Sequence, residues 1–357
     1  MRAVFRADSS TVIGSGHLMR CLTLAERMRK EKNAEVHFIS RNLEGNLHGK
    51  IKDAGFTLHV LPRHTFNEDL KGYAAWLTVP QKLDAAETKD ILQVFGKFDR
   101  LVVDNYALDI TWEQEMRPFV DEIFVIDDLA NREHDCDILL DQNFYLDKEI
   151  RYVGLVPESC KLLLGPHHAL LREEFYEARK HLRHRNGRLR NILVFYGGSD
   201  LTNETMKALH ALQVFHETQP EIAVDVIVGG SNPHQQKIKK FCEAPDVKKW
   251  MWYHLQVSNM AEYMARADLM LGAGGSTTWE RCLLELPAIV TAIADNQVRI
   301  AEDCAAKGWI DYIGWHDEVT VERLVHELHQ MKHGRLLDMQ EACRSIDLWN
   351  EIEKDYI

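Results

Sequence analysis

A histidine at the end of a glycine-rich loop is the first residue of this chain whose type and place could do chemistry. Asp8-Ser9-Ser10 leads into Ile13-Gly14-Ser15-Gly16-His17, after which Leu18, Cys21, Leu22, Ala25 and Met28 recur at helical spacing. His17 therefore stands where a loop becomes a helix. A neutral imidazole, with an unperturbed pKa of about 6.5, can take a proton from water there. A lone histidine is more often a packed structural residue, so the position does not by itself make it catalytic. The glycines do not complete a dinucleotide fingerprint, because Met19 stands where a third glycine is needed, and no Gly-Lys-Ser/Thr follows to make a P-loop.

Further apolar runs end in polar residues. Leu101-Val102-Val103 enters Asp104-Asn105-Tyr106, and Ile123–Ile126 enters Asp127-Asp128. In open α/β sheets such strand ends form the ligand crevice, although Asp and Asn also favour plain turns. Ile192–Phe195 ends in Tyr196-Gly197-Gly198-Ser199-Asp200. This is a candidate diphosphate cradle, with backbone N–H groups, the Ser199 hydroxyl and the dipole of the following helix facing the anion; a tight turn is the alternative. Leu269–Leu271 enters Gly272-Ala273-Gly274-Gly275-Ser276-Thr277-Thr278-Trp279-Glu280. Here Ser and Thr cap a helix, and a carboxylate on its first turns can accept both hydroxyls of a ribose while the helix end holds phosphate. Trp279 packs either on a base or in the core. Asp135-Cys136-Asp137 has the DxD form of some metal sites, but a chain with 55 acidic residues produces such triplets by accident. His17 and Cys21, four apart, could share a metal, yet Cys21 lies on the apolar stripe. No metal site is expected.

The elements that must position these residues alternate. Strands are expected at Ala3–Phe5, Val36–Ile39, Leu58–Leu61, Leu101–Val103 and Ile123–Ile126, then at Ile192–Phe195, Ala223–Val228, Leu269–Leu271 and Ala288–Thr291, with helical segments between. Strands alternating with helices make parallel sheets, and 357 residues make about two domains. The basic stretch Arg179–Arg188 reads as a solvated helix end and linker. The boundaries expected are 1–168, a connection over 169–190, a second domain over 191–340, and a terminal helix over 341–357 that packs back on the first domain. A net charge of −12 repels nucleic acid and anionic lipid. Seven cysteines without a CxxC pair suit a reducing cytoplasm, and neither a signal peptide nor a membrane-length apolar run is present. No nucleic-acid partner and no membrane span are expected.

Taken together, the Gly-Ser-Gly-His loop and the two later glycine loops resemble the GT-B architecture, two Rossmann-like α/β domains with an interdomain cleft. The second half looks like the UDP-sugar domain of the peptidoglycan glycosyltransferase that makes lipid II. More closely, Phe5–Ser10, Ile13–Cys21, Asp104-Asn105-Tyr106, Asp127-Asp128, Cys136–Leu140, Leu170–Tyr176 and Gly197–Asp200 resemble the UDP-sugar hydrolases of pseudaminic acid biosynthesis. The resemblance implies hydrolysis of UDP-2,4-diacetamido-2,4,6-trideoxy-β-L-altropyranose without a cofactor or metal. It implies His17 as the catalytic histidine and Tyr106 as its supporting tyrosine. Gly198, Ser199, Gly274, Gly275, Ser276 and Glu280 fall where the family and its transferase relatives hold diphosphate and ribose, and Asn296 lies near the substrate. Trp279 departs from a smaller polar residue in the family pattern.

The mechanism expected is deprotonation by His17 of a water that attacks the anomeric carbon opposite UDP, with inversion. Tyr106 orients the water or the imidazole. Asp8 and Asp128 hold the histidine tautomer or bind a sugar hydroxyl, and Gly16 and Arg20 complete the substrate-binding set. An inverting glycosyltransferase, a metal-dependent P–O hydrolase and a UDP-sugar sensor are the alternatives. A monomer is the expected state.

Overall fold

The first strand shows why apolar runs in this chain become doubly covered strands. In β1 (Arg2–Ala7) every residue from Ala3 to Ala7 is buried, and successive side chains leave on opposite faces. Ala3, Phe5 and Ala7 cluster with Leu18, Cys21, Leu22, Ala25 and Met28 of α1 (Gly16–Lys32). Val4 lies on the other face, in a cluster with Leu92, Leu101, Leu108 and Trp112.

The computed structural model describes residues 1–65, 69–275 and 277–348. It divides into two units. One takes Met1–Asn143 and Asp147–Leu170; the other takes Phe144–Leu146 and the chain from Leu171 to the last described residue.

In the first unit, β2 (Glu35–Arg41), α2 (His48–Asp53), β3 (Thr57–Leu61), α3 (Gln81–Phe95), β4 (Phe98–Asp104), α4 (Ile110–Met116), β5 (Val120–Ile126), β6 (Ile138–Asp141) and β7 (Lys161–Leu164) complete a parallel sheet of order β3-β2-β1-β4-β5-β6-β7. The order reverses between β1 and β4. Loops diverge at such a switch point and leave a crevice at the strand ends. Ala7 pairs with Asp104 there, so the glycine loop and Asp104 leave the sheet at one level.

The second unit runs α5 (Glu173–Lys180), β8 (Asn191–Phe195), α6 (Glu204–Thr218), β9 (Ala223–Val228), α7 (Gln235–Cys242), β10 (Met251–Leu255), α8 (Met260–Arg266), β11 (Leu269–Ala273), α9 (Thr277–Leu283), β12 (Ala288–Ala292), α10 (Asp295–Ala306), β13 (Asp311–Trp315), α11 (Val321–Gln330) and α12 (His333–Arg344). Its parallel sheet has the order β10-β9-β8-β11-β12-β13, so its switch point lies between β8 and β11. Val194, Val226, Leu271 and Ile289 cluster on one face with Leu209, Leu212, Leu324 and Leu328. Both glycine loops of this unit start at the switch strands. A Cβ on Gly229, just after β9, would lie 2.1 Å from the Gly198 carbonyl oxygen, so that approach admits only glycine.

One expectation needs correction. The basic stretch is not a solvated linker throughout, because Arg185 is 3% exposed and donates to the carbonyls of Met264 (2.9 Å), Ala267 (2.7 Å) and Leu284 (2.6 Å). It satisfies the orphan carbonyls where α8 and α9 end. Burial lowers its pKa to about 10, which leaves it charged at neutral pH. The terminal helix α12 ends at Arg344 within the second unit, and the expected packing of 349–357 lies outside the described residues.

A buried ion network ties the C-terminal ends of β1 and β2 to α3. Asp84, on α3, accepts from Arg6 (3.3 and 2.7 Å), Arg41 (2.6 Å) and Trp112 Nε1 (3.1 Å), and all four side chains are fully buried. Burial alone would raise the Asp84 pKa; the charge of Arg6, then that of Arg41, holds it low. Asp84→Ala removes the carboxylate that the two buried guanidinium groups share, leaving Arg6 with Asp8 and Arg41 with Glu87. It is expected to destabilise the first unit by roughly 3–5 kcal/mol, read as a lower urea midpoint.

Candidate active site

His17 is the second residue of α1, and the apolar stripe of that helix turns it toward the end of β4. Its Nδ1 lies 2.6 Å from Asp104 Oδ1. Arg20, one turn further, holds the same carboxylate bidentately, Nε to Oδ2 at 2.6 Å and Nη2 to Oδ1 at 2.7 Å. Burial would push the Asp104 carboxyl up, but the charge of Arg20 and then of His17 holds it well below the usual carboxylate range. An ionised carboxylate only accepts, so Nδ1 must carry the proton. The tautomer is thereby fixed with its lone pair on Nε2, which has no hydrogen-bond partner among the described residues. His17 is 8% exposed: oriented by a buried acid, yet open to a small reactant.

The contacts return to His17 through Asp128. Arg20 Nη1 donates to Asp128 Oδ2 at 3.1 Å, Asn143 Nδ2 to the same oxygen at 2.9 Å, and the Tyr106 hydroxyl to Oδ1. Burial and the Asp128 charge raise the Tyr106 pKa well above its ordinary value, so the phenol stays neutral. Its ring meets the imidazole edge-on at 4.5 Å. Tyr106 thus braces the ring, while its hydroxyl is spent on Asp128.

Asp8 belongs elsewhere. It is 1% exposed and accepts the Arg41 amide (2.7 Å) and Asn105 Nδ2 (2.9 Å), with Arg6 at 2.7 Å. Asp104, rather than Asp8 or Asp128, locks the histidine. The sequence singles out Asp104 only as a polar strand end; the signal that could have found it is its register beside Ala7. Of the predicted residues in this unit, Gly16, His17, Arg20, Tyr106 and Asp128 gather at the switch point, and Asp8 does not reach them. Asp135 and Asp137 of the DxD triplet both pair with Arg117, and Asp137 also accepts the Ile123 amide at 2.7 Å.

In the second unit Gly198 and Ser199 follow β8, and Gly274 and Gly275 follow β11, at the two sides of its switch point. Ser276 lies outside the described residues. A Cβ on Gly275 would meet nothing within 4 Å, so backbone there is open to a ligand. The α6 end is less available than its dipole suggests: Asp200 accepts the Glu204 amide (2.9 Å) and the Thr205 amide (3.1 Å) and so caps it. Glu280, 9% exposed on α9, accepts from Arg172 Nε at 2.9 Å. Burial raises its pKa and Arg172 opposes the rise. Sequence reasoning leaves Arg172 without a role. Asn296 is the second residue of α10, which two residues separate from the end of β12. Trp279 is fully buried and meets Trp309 edge-on at 6.1 Å, which makes it a core residue. A cavity of about 790 Å³ along α7 and β10 contains none of these groups.

Residues 192–347 match the Glycosyltransferase family 28 C-terminal domain. Along 309 residues the chain is 27% identical to the UDP-2,4-diacetamido-2,4,6-trideoxy-beta-L-altropyranose hydrolase of Campylobacter jejuni, which is 87% of this chain and 98% of that protein. Among solved structures it is similar to MurG of Acinetobacter baumannii, with a TM-score of 0.59, 13% identity, and 95% and 94% of the two chains covered. It is also similar to the S. aureus MnaA–UDP structure, with a TM-score of 0.60, 11% identity, and coverage of 96% and 91%. The fold is two parallel-sheet α/β domains of the GT-B kind, as the sequence leads one to expect.

One carboxyl beside this site gives a pH test. Asp141 ends β6, is 2% exposed, and accepts from the Tyr152 hydroxyl (3.0 Å) and the Asn143 amide (3.0 Å). Burial and the charge of Asp128 raise its pKa to about 8, against Arg151. The folded protein thus keeps a proton that the unfolded chain loses above a pKa of about 4. A raised folded pKa contributes stability that is lost as pH rises through it. Asp141 is expected to make thermal stability fall from about pH 4 to about pH 8 and then level off, and Asp141→Asn, which mimics the protonated acid, is expected to flatten that fall in melting curves.

Proposed function

We propose that this chain is a UDP-sugar hydrolase that converts UDP-2,4-diacetamido-2,4,6-trideoxy-β-L-altropyranose to UDP and the free sugar, with His17 as general base. The observation that carries the reading is the Asp104-locked imidazole, its Nε2 open, at the switch point of the first sheet. The likeness of nearly the whole chain to the Campylobacter jejuni hydrolase supports the same chemistry.

Water hydrogen-bonded to Nε2 gives up a proton as its oxygen bonds the anomeric carbon. The anomeric C–O bond breaks on the opposite side, its electrons leave with UDP, and the sugar carbon inverts. The imidazolium that results stands against the Asp104 carboxylate, which stabilises it. General-base catalysis supplies about 10²–10⁴ in rate. The rest falls to positioning and to donors on the diphosphate, for which Gly274, Gly275 and Asn296 are the candidates. Glu280, paired with Arg172, accepts the ribose hydroxyls. Hydrolysis needs no redox or group-carrying cofactor. The glycosyltransferase-type second domain supports one other reading, an acceptor hydroxyl in place of water; UDP release without any acceptor separates the two.

His17→Asn is expected to lower kcat by about 10²–10⁴ with KM within a few-fold, measured as UDP release. A loss under tenfold contradicts the base assignment. Asp104→Asn offers Nδ1 a donor, reverses the tautomer and is expected to cost a similar factor of about 10²–10⁴. Glu280→Gln is expected instead to raise KM and weaken UDP binding in titration calorimetry, leaving kcat within a few-fold.

A further inference from the structure

Two aromatic residues packed with Tyr106 beside His17, Tyr73 and Trp76, have no part in base catalysis. A 3₁₀ turn over Gly72–Leu77 is anchored by buried Leu77 and carries Tyr73 and Trp76, both half-buried. Trp76 stacks on Tyr106 with centroids 5.3 Å apart and planes at 28°, and meets the His17 ring edge-on at 5.6 Å. Tyr73 meets Trp76 at 4.9 Å and Tyr106 at 5.0 Å, both edge-on. The Tyr106 O–H donates to Asp128, so its proton is not available to a sugar.

A water on Nε2 at about 2.8 Å, with the carbon it attacks about 3 Å beyond, puts a reacting sugar about 6 Å from the base. Trp76 and Tyr106 both pack on the His17 ring, with centroids 5.6 and 4.5 Å from its own, so their rings border the space next to the base. A sugar attacked by this water has ring surface beside it, which suits methyl groups and C–H faces better than a hydroxyl.

The geometry points to Tyr73, Trp76 and Tyr106 as a subsite for the methyl-bearing face of the sugar, selecting an N-acetylated 6-deoxy sugar over one with a 6-hydroxyl. This deepens the hydrolase reading and rests on it for the identity of the sugar, while binding to the rings is measurable without turnover. An apolar pocket of this kind discriminates a hydroxyl-bearing analogue by about 10²-fold at most.

The test uses the 357-residue chain and the variants Trp76→Ala and Trp76→Phe. Saturation-transfer NMR with the free 2,4-diacetamido-2,4,6-trideoxy sugar reads contact with its methyl protons, and kcat/KM on its UDP derivative and on UDP-N-acetylglucosamine reads selectivity. The subsite predicts strong transfer to the methyls in the unmodified chain, at least fivefold weaker in Trp76→Ala and largely kept in Trp76→Phe. It also predicts that preference for the deoxy substrate drops at least tenfold in Trp76→Ala while UDP affinity stays within twofold. If Trp76→Ala does not fold, Tyr73→Ala carries the same comparison. Unchanged methyl transfer and unchanged selectivity on removal of the ring overturn the proposal. Ring-dependent methyl transfer without hydrolysis by the unmodified chain supports the subsite and overturns the hydrolase reading.

Discussion

A single carboxylate organises the first unit. Asp104 is 1% exposed, and an ionised side chain so deeply buried costs several kcal/mol unless its oxygens are filled. Here three N–H groups fill them: Nε and Nη2 of Arg20 and Nδ1 of His17. The guanidinium that neutralises the acid is fixed in turn by Asp128, which takes the hydroxyl of Tyr106, whose ring lies against His17. The circle closes on the imidazole. Each member is held by the next, so the histidine has one tautomer and one orientation, the state a base needs before substrate arrives.

The second unit solves its problem with backbone. Its glycine loops sit at both sides of a switch point, and the contact of Gly229 with Gly198 is too close for any side chain. Charge is used sparingly there. Asp200 takes the end of α6 for itself, and Glu280 is kept beside one cation, Arg172. Buried arginines do the remaining structural work: Arg185 closes the ends of α8 and α9, as Arg6 and Arg41 tie strands to α3 in the first unit.

Strands buried on both faces were legible in the sequence because unbroken apolar runs have no other stable home, as with Val4-Phe5 or Leu269–Leu271. Those missed are β6, β7, β10 and β13. β7, β10 and β13 are partly exposed strands, and β10 and β13 lie at the sheet edges, whereas β6 is fully buried and its Ile138-Leu139-Leu140 run, of the same kind as those read as strands, was passed over. At the site, His17 and Tyr106 were legible as polar residues at a glycine loop and at a strand end, while Arg20 entered only through the family resemblance. The pairing was not, because 87 residues separate His17 from Asp104 and several acids end neighbouring strands. Only the register of β1 on β4 decides among them. Arg185 was misread for a related reason: a basic run looks solvated until helix ends supply carbonyls for it to bind.

The central claim is that a water activated by His17 attacks carbon. It is tested most directly by running the reaction on UDP-2,4-diacetamido-2,4,6-trideoxy-β-L-altropyranose in ¹⁸O-labelled water, with EDTA and no acceptor, and locating the label. The account predicts ¹⁸O at the anomeric position of the released sugar, inverted in the first turnovers, and none in UDP. Label in the phosphate of UDP, or no release of UDP at all, would contradict it.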